Sequence, residues 1–279
     1  MKAALQVSQE SASAPVVRRL VPMVRQAFWP LTTILLSLVL WQSVVDMLAI
    51  PKLILPSPRD IAFNLIDKRG MYASFTIPTL LEILLGFCSA GLLGVMIAVL
   101  VSFSSIARQT VYPLLVSSQM IPKVAIAPVL IIWFGTGLEA KVLIAFLIAF
   151  FPITLSTMVG LDAVERDTVR LFRSMGASSV DTFFKLRLPT ALPSIFAGLK
   201  IGMSLAVVGA VVAEFVAAER GLGYYLLYAN GQLDTVGVFA ALTILTALGV
   251  VLFYGVEAVE RLVVPAPLVR PGDPTAASM

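Results

Sequence analysis

The sequence predicts an all-α integral membrane protein with six transmembrane helices. Three observations carry this. Hydrophobic residues make up 59% of the 279 and charged ones 13%, with mean hydropathy +0.96. The charges gather between long apolar runs. Those runs approach the ~20 residues that a helix needs to cross a bilayer. Such a composition excludes a soluble globular domain. Histidine is absent, which excludes imidazole catalysis, His metal ligands and a His pH switch. The single cysteine, Cys88, lies in an apolar run, so no disulfide framework or CxxC pair exists. No metal or cofactor is expected.

Residues 1–25 read as a polar leader, largely disordered, without the apolar core of a signal peptide. The first span runs from Gln26 to Val45, between Arg25 and Asp46. Pro51, Pro56 and Pro58 then break any helix, and Arg59 to Tyr72 forms a short amphipathic surface helix. The second span runs from Ile77 to Phe103, with Gly86, Ala90 and Gly94 on one face for close helix packing. The third segment, Val111 to Gly137, is interrupted by Pro113, Pro122 and Pro128 and carries Lys123. Broken backbone at membrane depth belongs in protein or beside a water-filled cavity. Ser117, Gln119, Pro122 and Lys123 are therefore candidates for a translocation path. A turn from Thr136 to Lys141 leads to the fourth span, Val142 to Leu161.

A polar loop, residues 162–194, separates the fourth span from the fifth, Ile195 to Phe215. On the fifth span Gly198, Gly202, Ala206 and Ala210 share a face that Glu214 continues; this stripe should meet a dimer axis or the third span. Glu82 and Glu214 lie near span ends, where snorkelling to the interface accounts for them, and Glu214 is also a path candidate. The sixth span is Thr235 to Val256, and residues 265–279 form a disordered tail. Residues 26–264 thus make one transmembrane domain.

Six spans put both termini on one side. Thirteen of the 20 Lys and Arg fall on the side that holds the long loop and both termini. The positive-inside bias makes that side cytoplasmic. The net charge of +4 reflects this bias rather than a nucleic-acid partner.

Within the loop, Ala163 to Met175 is helix-compatible and Gly176 fits a left-handed helix terminus. Ser178 with Asp181 fits an N-cap that starts a second short helix. That helix would present Val180, Phe183 and Phe184 beside Lys185 and Arg187, before Leu188-Pro189 closes the loop. Exposed apolar groups ringed by charge suit a protein-docking knob.

Gly176, nine residues, then Leu186-Arg187-Leu188-Pro189 resembles the EAA loop of bacterial ABC-importer permeases; Arg170-Leu171-Phe172 stands where that family has Glu-Ala-Ala. IPKVAIAPVLIIWFGTG and the Leu-Pro-Ser-Pro turn at 55–58 are similar to the same family, in its nitrate, sulfonate and taurine branch. The stretch from Tyr228 to Leu262 looks most like its pyrimidine and thiamine-precursor members.

The resemblance implies a type I ABC-importer permease fold in a bacterial inner membrane, with the loop as coupling helix. Gly176, Ala177, Ser178, Val180, Asp181, Phe183, Phe184, Leu188 and Pro189 would then couple to the motor. It also implies two cytoplasmic ABC ATPase subunits, a second permease copy and an extracytoplasmic solute-binding protein as partners. The chain lacks a G-x-x-x-x-G-K-S/T phosphate loop, so it is not the motor and not itself an enzyme. The alternatives are a secondary transporter or channel, or an intramembrane protease. A protease wants Ser with His, or paired mid-membrane aspartates; a secondary transporter wants an internal repeat. None of these is found.

Overall fold

The computed structural model describes residues 17–264, and among them every regular element is helical. The expectations for residues 1–16 and 265–279 fall outside the described residues. Helix α1 (Val17–Met47) reaches back into the stretch read as leader. From Trp29 onward it is apolar and exposed almost all round, as a lipid-facing span should be. Ser57 caps α2 (Pro58–Asp67), its hydroxyl accepting from Asp60 N at 3.1 Å, with Pro58 in the first turn. The Lys52 ammonium, 2.6 Å from Asp60, holds that carboxyl below its ordinary range.

The surface helix therefore ends sooner than Tyr72. The chain breaks at Lys68 and re-enters a 34-residue helix, α3 (Arg69–Ser102), well upstream of the expected Ile77. Pro78 does not stop it. At 1.5 Å per residue this helix is ~50 Å long, longer than a bilayer core.

The third segment is broken at Pro122, where α4 (Ser105–Ser118) and α5 (Lys123–Phe134) meet at 91°. The expected interruptions at Pro113 and Pro128 do not occur, since each lies inside its helix. Among the described residues, five helices are long and apolar enough to cross a membrane, and the bent pair makes a sixth if it is counted as one span.

Helix α6 (Leu138–Asp162) packs in the centre against α3 and α9 (Leu188–Ala217). The small residues make this possible. A Cβ on Gly86 would stand 2.5 Å from that of Ala145, one on Gly94 2.8 Å from Thr154 Oγ1, and one on Gly202 2.5 Å from Ile153 Cγ1. Both stripes thus face α6. The expectation that the α9 stripe meets the third span or a dimer axis is overturned, because α6 already fills it.

After a tight turn, α10 (Leu222–Gly231) folds back and leads to α11 (Thr235–Val263). Tyr72, Phe75 and Tyr225 form an aromatic layer here, with Tyr72 and Tyr225 edge to face at 5.3 Å. This layer and the polar loop occupy opposite ends of the bundle. At the loop end, Arg108–Asp162 (2.5 Å) joins the start of α4 to the end of α6, and Lys200–Glu260 (2.8 Å) ties α9 to the last turn of α11.

Candidate functional site

The loop begins with α7 (Arg166–Ser174), which alternates apolar Val169, Leu171 and Phe172 with charged residues. It ends at Gly176, whose φ of +87° is open to glycine and strained for other residues. The Gly176 N–H donates to Arg173 O (3.0 Å) and the Ala177 N–H to Phe172 O (3.2 Å), so the last carbonyls of α7 are satisfied. Ser178 then caps the next helix, its Oγ accepting from Asp181 N at 3.0 Å. The Asp181 carboxylate takes the Ser178 hydroxyl and, at 2.6 Å, the Lys185 ammonium. The expectations for Gly176, Ser178 and Asp181 match this geometry.

The second helix is not a separate one. Helix α8 (Ser179–Thr182) passes through a π turn, Phe183–Arg187, directly into α9. Pro189 supplies the reason: it has no N–H, and in α geometry its ring crowds the carbonyl four residues back. A wider turn, with Leu188 N–H donating to Phe183 O, relieves that crowding without ending the helix. Leu188 and Pro189 are consequently half-buried in a continuous helix instead of closing a loop.

Phe183 is also placed differently from expectation. It is 4% exposed, tilted against the Phe103 ring at 4.9 Å between centroids and packed on Leu161, Ala191 and Ile195. It anchors the loop to the bundle and presents nothing. Val180 (59% exposed) and Phe184 (61%) point outward. Beside them a cavity of about 310 Å³ is lined by Phe172, Met175, Gly176, Ala177, Asp181 and Lys185. The outer face is thus apolar knobs, a shallow recess and one ion pair.

The path candidates Ser117, Gln119, Pro122 and Lys123 gather at the α4–α5 break. Ser117 and Pro122 are exposed, Gln119 and Lys123 half-buried. The Lys123 ammonium sits 4.7 Å from the Phe151 ring centroid. Glu214 does not join them. It is buried, and its carboxylate accepts from Thr79 Oγ1 at 2.6 Å and from Gly223 N–H, while Leu222 N–H donates to the same Thr79 hydroxyl at 2.9 Å. Glu82 does not snorkel either: it is 1% exposed and bound at 2.9 Å by Lys141, inside α6 and not in the turn before it. The sequence signal for this network is the spacing of Glu82, four residues before Gly86 on the buried stripe.

A model of the binding-protein-dependent transport system inner membrane component family matches residues 90–264. The formylaminopyrimidine transport permease protein ThiX of Halalkalibacterium halodurans is 37% identical over 86% of this chain and 96% of its own length. The riboflavin transport system permease protein RibX of Chloroflexus aurantiacus is 37% identical over 89% and 96%. The taurine transport system permease protein TauC of Escherichia coli is 30% identical over 88% and 91%.

Proposed function

The chain belongs to the family of binding-protein-dependent transport system inner membrane components, a multi-pass ABC transporter permease, and from that we propose that it is the membrane half of an ATP-driven importer. Two cytoplasmic ABC ATPases close on ATP. The 162–188 region carries that closure into α6 and α9, shifting the population between inward-open and outward-open states. A second copy of the chain completes the path, and an extracytoplasmic binding protein delivers the solute. Hydrolysis belongs to the ATPase subunit, since this chain has no phosphate loop.

One observation carries the coupling role: Val180 and Phe184 are exposed on a capped, glycine-turned corner, while Phe183 beside them is locked into the bundle. Force applied to the outer pair has a rigid route into α9 and α6. The outer apolar face has no use in water and fits a protein groove. The long loop faces the cytoplasm on the positive-inside bias, as do both termini.

Solute passage is assigned to the α4–α5 break, with Ser117, Gln119, Pro122 and Lys123 along it. The solute is a small heteroaromatic of the pyrimidine or vitamin type. The names of two relatives at 37% identity support this over the sulfonate class of a more distant one. In a Cys88→Ser background, Val180→Cys should cross-link to the co-expressed ATPase subunit through a short bifunctional thiol reagent. Absence of that product, with Tyr254→Cys as exposed lipid-face control, would count against the docking assignment.

A further inference from the structure

The inner side of the same loop faces a different space. A cavity of about 570 Å³ lies between the end of α3, the start of α4 and the loop, and Arg108, Arg166, Arg173 and Arg187 all line it. Arg108 is held by Asp162 at 2.5 Å. Among the described residues, no carboxylate lies within ion-pair distance of Arg166, Arg173 or Arg187. The nearby acids are engaged elsewhere: Asp167 with Arg170 and Asp181 with Lys185. Glu165 does not line the cavity. Asp162 also acts on Arg187 as a longer-range counter-charge, but three guanidiniums without a contact ion pair around one concavity repel each other, and an anion seated among them relieves that repulsion. Ser179 and Gln109, which also line it, bring hydrogen-bond donors that no protein group among the described residues takes.

We propose that this cavity is a binding site for a phosphate-bearing anion. Guanidinium forks match phosphate oxygens two at a time, which a monatomic chloride cannot offer. The location favours a phospholipid headgroup as the source. The cavity lies where α3 ends and α4 begins, at the membrane edge, and Ile106 on the first turn of α4 is an apolar side chain 76% exposed. Basic pockets between spans at this depth collect anionic lipid headgroups. The docking knobs Val180 and Phe184 do not line the cavity, although Ser179 and three of the arginines belong to the same loop.

The test uses the full-length chain in uncharged detergent, supplied with phosphatidylglycerol, phosphatidylcholine or inorganic pyrophosphate. Bound lipid is counted by native mass spectrometry, and the thermal midpoint is followed in parallel. Phosphatidylglycerol should be retained and raise the midpoint, phosphatidylcholine should not, and the triple variant Arg166→Gln/Arg173→Gln/Arg187→Gln should lose retention by ~10-fold or more. A rise with pyrophosphate and none with phosphatidylglycerol identifies a soluble phosphate compound as occupant. If no phosphate species binds, or the triple variant binds all of them like the parent, the proposal fails. It fails equally if, in a parallel co-purification with the ATPase subunit, the variant loses that association while retaining every phosphate species like the parent, which would make the cavity a seat for an acidic protein surface. Should the triple variant not fold, Arg173→Gln alone, on the exposed end of α7, must lower retention.

Discussion

Thr79 Oγ1 on α3 lies 2.6 Å from Glu214 Oε1 on α9, 135 residues further along the chain. The same hydroxyl accepts Leu222 N–H, and Glu214 takes Gly223 N–H, so two side chains satisfy the first backbone donors of α10. The turn that permits this has Gly221 at φ +122°, and any Cβ there would strike the Glu214 carboxyl. Glu214→Leu should therefore cost about 1–3 kcal/mol by stranding Gly223 N–H and removing the acceptor of the Thr79 hydroxyl. Glu214→Gln should cost less, because it keeps one acceptor. Thermal unfolding in detergent, read by tryptophan fluorescence, checks the order.

Lys141 and Glu82 make the second buried link, between α6 and α3, at 2.9 Å. Breaking such a pair costs more than the pair itself is worth, since it leaves a charge in apolar surroundings. Lys141→Met should destabilise by about 3–5 kcal/mol, and adding Glu82→Gln should recover part of the loss. A double-mutant cycle on unfolding midpoints tests this; additive losses would contradict a direct link.

Helix contact at the centre depends on absent side chains. A Cβ on Gly209 would lie 2.6 Å from the Ala145 backbone Cα, whereas one on Gly249 meets nothing nearer than 3.9 Å. Gly209→Ala should cost about 1–3 kcal/mol through forced separation of α9 from α6. Gly249→Ala should stay within about 0.5 kcal/mol of the parent. Midpoints of the two variants, measured side by side, separate packing from glycine's general effect on helices.

At Gly176 the cost has another origin. An added Cβ meets no atom within 4 Å, so only the backbone angle of +87° is penalised. Gly176→Ala should lower stability by about 1 kcal/mol, and Gly176→Asn by less. Solute uptake should fall further than stability implies, because the corner sets the angle of the docking face. Uptake unchanged by Gly176→Val would show that this angle is immaterial.

Much of the architecture was legible because apolar runs and prolines act locally. The spans, the α4–α5 break and the Ser178 cap all follow from a few neighbouring residues. Glu82 and Glu214 could have been read as buried, since each continues a four-residue stripe of glycine and alanine. Lys141 was hidden by Gly137, which reads as a turn but serves as the N-cap of α6, placing Lys141 one turn inside. Phe183 and Phe184 are neighbours about 100° apart on a helix, and which one faces inward depends on Phe103 and Leu161, far away in sequence. The π turn depends on Pro189 staying in register with α9, which no local pattern specifies. Arg166 and Arg173 share a helix face by spacing, but their meeting with Arg108 and Arg187 is a matter of tertiary structure alone.

The central claim is that Val180 and Phe184 transmit the motor's closure. Its most direct test is solute-stimulated ATP hydrolysis by the reconstituted complex carrying Val180→Glu and Phe184→Glu together. Both positions are exposed, so the unfolding midpoint of the permease should remain within a degree or two of the parent. Stimulated hydrolysis and uptake should drop at least ~10-fold as the apolar contact is replaced by charge. Full stimulation with a stably bound ATPase would contradict the account.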